Sequence, residues 1–228
     1  MAADSRLTLT IPRTLPSGQA HTLSLATSDS AKKLFLAPNN IGIATCGAAD
    51  IGGVPIAGFV ESFIVEKLKG QSLSAEQVAN ELKGYLSALA VRPGTVFHIA
   101  GYAQTAARWE QTVFFVDPAV GPVSRLNPVN QQGANWGGEI DVLQRLLNEV
   151  ALVQPGGQPA VPFPVFGIPF EFFTLQDAID FAVFGIRSTI ETLRFQNREK
   201  TVGGPIDVLV VTPGGAQWIR QKQLVVEN

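Results

Sequence analysis

The sequence has little of the residue types that most often carry chemistry. Among its 228 residues there are one cysteine, Cys46, and two histidines. A single thiol cannot form a disulfide within the chain, which fits a reducing compartment, and we expect a cytoplasmic protein. His21 and His98 fall in different predicted strands, without the spacing of a metal or thiol–imidazole site. We therefore expect structural roles for both histidines, and neither a metal nor a cofactor.

Charge of one sign and long apolar runs are also missing. Lys and Arg number 17 against 19 Asp and Glu, so the net charge is −2 and no basic patch favours nucleic acid as a partner. Apolar stretches are broken by Gly, Pro or charge well short of a membrane span, and the N-terminus lacks the pattern of a signal peptide. We expect no membrane partner. An apolar share of 46% with only 16% charge favours a large core and a subunit that buries surface on self-assembly.

Alternating apolar residues predict strands. Residues 7–27 alternate on either side of a turn rich in Pro and Gly, which is typical of a hairpin. The stretch Ile206–Thr212 is almost continuously apolar, which indicates a strand buried on both faces. Further strands are predicted over 34–36, 41–44, 96–104, 111–117 and 216–219.

Helical periodicity and capping signals predict the helices. Apolar residues recur at helical spacing over 57–68, and Gly70 follows as a C-terminal cap. The segments Ser74–Gln77 and Thr174–Asp177 carry N-terminal capping signals, and they predict helices to about residues 89 and 195. A further helix is predicted over 140–153. We interpret residues 1–228 as a single domain with an inserted Pro- and Phe-rich loop at 154–173.

Three segments carry a family resemblance. The first is the strand end Ala2-Ala-Asp-Ser-Arg6, and the second is Lys32-Lys33 followed by the strand and turn 41–50. The third is the turn 198–204 before the buried strand. In this order and spacing they resemble proteasome-type subunits, the threonine-nucleophile members of the N-terminal-nucleophile hydrolases. The resemblance implies an α+β fold, specifically a four-layer α-β-β-α sandwich.

The resemblance also implies roles for individual residues. In the family an N-terminal threonine attacks the scissile carbonyl, with its own amine as general base. Asp4 and Lys33 match the aspartate and lysine that activate this nucleophile. Neighbouring strand residues face opposite ways, so one of Lys32 and Lys33 faces inward, and we expect it to be Lys33. The oxyanion would be held by a backbone N–H of Cys46 or Gly47. Small apolar neighbours indicate that the Cys46 thiol itself is buried and inert.

The sequence departs from the family pattern in three places. The strand that carries the nucleophile is not among these residues. Glu199 and Val202 stand where the family has an aspartate and a serine, and Asn135–Gly138 replaces a serine-rich turn, so two supporting hydroxyls are absent. We expect the chain as written to be inactive.

Three functions remain open at this point. The first is a proteasome-like threonine peptidase subunit, acting on peptides within a homo-oligomer or ring, whose sequence begins too late. The second is a non-catalytic self-assembling or binding protein on the same fold. The third is an amide hydrolase of the same superfamily that acts on small molecules.

Overall fold

The described residues form a mixed α+β arrangement of two antiparallel sheets, three two-stranded ribbons and helices. The computed structural model describes residues 1–14, 18, 20–157 and 159–224, so the turn expected near Pro16 and the side chain of His21 lie outside the described part. The described strands are β1 (Ala2–Ala3), β2 (Leu7–Thr14), β3 (Ala20–Ser28), β4 (Leu34–Ala37), β5 (Ile41–Gly47), β6 (Asp50–Ile51), β7 (Val54–Pro55), β8 (Thr95–Gln104), β9 (Trp109–Val116), β10 (Ser124–Arg125), β11 (Ala151–Leu152), β12 (Val161–Pro162), β13 (Asp207–Thr212) and β14 (Gly215–Arg220). The described α-helices are α1 (Ile56–Lys67), α2 (Ala75–Ser87), α3 (Asp141–Leu147) and α4 (Leu175–Phe195).

The local signals in the sequence account for most of these bounds. Ser74 and Gln77 form the predicted capping box of α2, and Thr174 and Asp177 form one at α4, so free backbone donors at both helix starts are satisfied. The predicted hairpin is formed by β2 and β3, which pair in register from Leu7 opposite Ser28. The structure confirms these predictions: the capping boxes join residues three apart, and the hairpin joins two consecutive alternating strands.

The two described sheets contact each other through β13. The larger sheet has the strand order β10-β9-β8-β5-β4, and the smaller has the order β1-β13-β14. Helix α2 packs on β8 and β9, α1 packs on β4, and β13 packs against β4, β5 and β8. On its other side, β13 meets α4, which also contacts β1 and α3. Strand β13 is therefore covered on both faces, as its apolar sequence predicts.

The main core lies between the larger sheet and helices α1 and α2. Its fully buried side chains include Phe35, Ile43, Phe63, Leu82 and Phe97. The opposite face of the larger sheet meets β13 at Gly42, where an added Cβ would lie 3.3 Å from Leu209 Cδ2. The same Cβ would overlap Met1 Sδ, so a larger residue at position 42 would require the Met1 and Leu209 side chains to shift.

The helix predicted over 140–153 is shorter than expected. Helix α3 ends at Leu147, and Asn148 already has extended backbone angles. Beyond it Ala151 and Leu152 pair with Pro162 and Val161 to form the ribbon β11–β12. The prediction was wrong here because strand pairing with the 154–173 segment takes the backbone groups that the last helical turns would have used.

Candidate functional site

The short strand β1 places Asp4 beside the turn 198–204. Ala2 pairs with Val208 and Ala3 pairs with Asp207, at the edge of the smaller sheet. The chain then leaves the strand, and the Ser5 N–H donates to Gly203 O at 3.0 Å. These contacts join two segments that are about two hundred positions apart in the sequence.

Asp4 and Lys33 form an ion pair at this point. Lys33 Nζ donates to Asp4 Oδ1 at 2.7 Å, and the two side chains are only 18% and 13% exposed. The other carboxylate oxygen, Asp4 Oδ2, accepts the backbone N–H groups of Arg6 and Gly203, each at 3.0 Å. Lys32, in contrast, pairs with Glu61 in an exposed position. Lys33 is thus the lysine that faces inward, as predicted.

A second ion pair supports the same corner of the fold. Arg6 Nε and Nη2 donate to the two oxygens of Asp29, each at 2.7 Å, in a bidentate arrangement. Hydrogen bonding from Arg6 holds the pKa of Asp29 below its usual value. Arg6 also donates to Lys200 O and packs on the Cα of Gly203, where a Cβ would collide with the guanidinium. A Cβ at position 203 would therefore require the Arg6 guanidinium to move away from its position against Asp29.

Gly47 lies at the end of β5, on the larger sheet. Its φ is +109°, and a Cβ here would lie 2.5 Å from Gly94 O. The oxyanion role of the Cys46 or Gly47 N–H remains a prediction.

Cys46, its neighbour, lies within electrostatic range of the pair. Burial raises the pKa of the Cys46 thiol, while Lys33 lowers it and Asp4 raises it by smaller amounts. This raised pKa agrees with the inert thiol predicted from the sequence.

The structure brings His98 close to Cys46. Cys46 pairs with Val96 and Ala44 pairs with His98, so thiol and imidazole are diagonal neighbours on one face of the sheet. Gly137 lies over both: a Cβ there would be 2.7 Å from Cys46 Sγ and 2.9 Å from His98 Cε1. Burial lowers the pKa of His98, and its ring packs edge-on against Phe115.

Two turns meet beside the Asp4–Lys33 pair. Thr201 Oγ1 donates to Glu139 Oε1 at 2.6 Å, and Arg198 reaches Glu139 at 3.4 Å and Asp141 at 3.0 Å. Hydrogen bonding from Arg198 holds the pKa of Asp141 below its usual value. Glu199 points elsewhere and accepts the backbone N–H of Ser24 at 3.3 Å. Glu139 and Thr201 are 62 positions apart, and no local sequence pattern predicts their contact.

The arrangement is suited to activating a neighbouring nucleophile. An ammonium held by a carboxylate favours the deprotonated form of a hydroxyl placed beside it. Within the described residues no group of three or more His, Cys, Asp or Glu side chains could hold a metal ion. No described helix has both the length and the apolar character needed to span a bilayer.

Comparison with models of known protein families finds no match. Comparison with curated protein sequences finds no significant match either. The residues and their geometry therefore carry the functional conclusion.

Proposed function

We propose that this chain is a proteasome-type member of the N-terminal-nucleophile hydrolases, built around the frame of a threonine peptidase site. The observation that carries the proposal is the part-buried Asp4–Lys33 pair, with Asp4 also held by the N–H groups of Arg6 and Gly203. Three distant segments converge to orient one ammonium group. That is the geometry a hydroxyl nucleophile needs beside it.

The packing of the elements supports the corresponding fold. Helices α1 and α2 cover the outer face of the larger sheet, and β13 of the smaller sheet packs against its inner face. Helix α4 contacts β1 and β13. We take these contacts as a four-layer α-β-β-α sandwich, the arrangement of the resembled family.

The nucleophile would come from a strand added at the open edge of β1. In the described part of the chain β1 pairs only with β13, so its outer edge, beside Asp4, has no strand partner. A hydroxyl there would attack the carbonyl, its proton would pass to the α-amine, and the departing amine would take that proton. The ester so formed would be hydrolysed by water, and a backbone N–H of Cys46 or Gly47 would hold the oxyanion.

The 228-residue chain by itself is expected to show no peptidase activity. Among the described residues no hydroxyl group is hydrogen-bonded to Asp4 or Lys33, whose partners are each other and the N–H groups of Arg6 and Gly203, and the Cys46 thiol has a raised pKa. The measurement is hydrolysis of fluorogenic peptides by the purified chain, and turnover by this chain would contradict the proposed site.

The DNA upstream of Met1, read in frame, tests the proposal further. One more strand that starts with Thr, Ser or Cys would supply the nucleophile, and an in-frame stop codon directly upstream would count against it. In a chain extended by such a strand, Lys33→Ala should abolish peptide turnover. The matched control Lys32→Ala should keep it, because Lys32 pairs with the exposed Glu61. Equal activity of both variants would refute the role of Lys33.

A specific observation favours the second candidate, a non-catalytic protein that assembles with copies of itself. Large apolar side chains are exposed on the 154–173 segment and on α4, with Phe166 at 88% and Phe195 at 80%. Where exposed apolar side chains form a contiguous patch, they mark an interaction site. Sedimentation velocity distinguishes the cases: an oligomer that Phe166→Ser weakens supports assembly, and a monomer at all concentrations rejects it.

A further inference from the structure

A carboxylate that belongs to neither ion pair of the site connects the two turns beside it. Glu139 follows Gly137 and Gly138, and its oxygens take hydrogen bonds from Thr201 and Arg198 at 2.6 and 3.4 Å. Its side chain is about one-third exposed. Arg198 continues to Asp141 at the start of α3, so the 135–141 turn is held at two points.

The second turn leads directly to Asp4. Thr201 is two residues before Gly203, whose N–H donates to Asp4 Oδ2 at 3.0 Å and whose carbonyl accepts the Ser5 N–H. A shift of the 198–203 turn would thus remove one of the two backbone donors that orient the Asp4 carboxylate. Lys33 would lose part of its alignment as a result.

The first turn leads to Cys46 and His98. Gly137 packs so closely on the thiol and the imidazole that a single added methyl group would overlap both. The position of Glu139 therefore also fixes how tightly this turn covers Cys46. The Glu139 carboxylate thus connects the 135–141 turn, which packs on Cys46, to the 198–203 turn, which donates a hydrogen bond to Asp4.

We propose that Glu139 is a positioning residue, which works through Thr201 and Gly203 to hold Asp4 against Lys33. A positioning role has meaning only for the site proposed above, whereas its test needs no peptidase activity. The role differs from simple packing of α3, because it predicts an effect at the Gly203 amide on the far side of Thr201. It also predicts that the hydroxyl of Thr201, rather than its volume, is the feature that matters.

The single cysteine allows a direct test on the chain as it exists. Thr201→Val removes the hydroxyl at nearly constant volume, Thr201→Ser restores it, and Glu139→Gln removes the charge. Glu191→Gln is the matched control, since Glu191 pairs with Arg194 on an exposed face of α4. Two rates are measured in each variant: alkylation of Cys46 by N-ethylmaleimide, and hydrogen exchange of the Gly203 amide by NMR.

Both rates should rise about tenfold in Thr201→Val and in Glu139→Gln. In each variant the charged hydrogen bond from Thr201 to Glu139 is lost, and it no longer opposes local opening of the two turns. Thr201→Ser and Glu191→Gln should match the wild type. If Cys46 alkylation rises while Gly203 exchange stays constant, Glu139 only closes its own turn and the positioning role is overturned. Unchanged rates at both places would overturn it as well. Either result would leave the peptidase proposal to its own assays.

Discussion

Removing the Asp4 carboxylate should lower the free energy of unfolding by more than the loss of a single polar side chain usually does. Asp4→Ala breaks three hydrogen bonds, from Lys33 Nζ and from the N–H groups of Arg6 and Gly203. It also leaves the Lys33 ammonium without its partner in a position where only 18% of the side chain is exposed. The perturbation therefore tests whether the site is an integral part of the fold.

The size of the effect follows from the burial of the pair. Breaking a fully buried ion pair costs about 3–5 kcal/mol, and exposed pairs contribute about 0–1 kcal/mol. With 13% and 18% exposure, Asp4 and Lys33 lie nearer the buried limit. We expect Asp4→Ala to lower the free energy of unfolding by about 2–4 kcal/mol.

Urea unfolding followed by tryptophan fluorescence measures this loss. Glu61→Ala is the control, because it breaks the exposed pair with Lys32 and should cost less than about 1 kcal/mol. In a Lys33→Met background the cost of Asp4→Ala should be smaller, because no ammonium is then left unpaired. An Asp4→Ala cost equal to that of Glu61→Ala would show that the pair is not held as described.

Two further predictions concern the space under Gly137. Burial lowers the pKa of His98 below its usual 6.5, so the unfolded chain binds a proton more readily than the folded chain. The free energy of unfolding should therefore lose no contribution from His98 above about pH 6.5, and it should fall as the pH drops below that value. His98→Asn should flatten this dependence in urea unfolding at pH 7.5 and 5.5, and an unchanged slope would assign the titration to other groups. Gly137→Ala should cost about 1–3 kcal/mol, since its Cβ would lie 2.7 Å from Cys46 Sγ. Adding Cys46→Ala should recover part of that loss, and no recovery would mean that the overlap lies elsewhere.

The site could be predicted from the sequence only in part. The resemblance points to Asp4 and Lys33, whereas alternation along a strand indicates only that one of Lys32 and Lys33 faces inward. The sequence shows no thiol–imidazole spacing that would link His98 to Cys46. Cys46 and His98 lie close together because β5 pairs with β8, and no local sequence pattern predicts the register of that pairing.

The sequence by itself determined the elements whose hydrogen bonds close between near neighbours. Capping boxes at Ser74 and Thr174 started α2 and α4, and alternation marked the β2–β3 hairpin. Only the tertiary structure decided that α3 stops at Leu147, and that the Gly203 amide reaches Asp4 from 199 positions away. Local propensities act over a few residues, whereas these contacts form only when two sheets pack and bring distant backbone donors to a shared carboxylate.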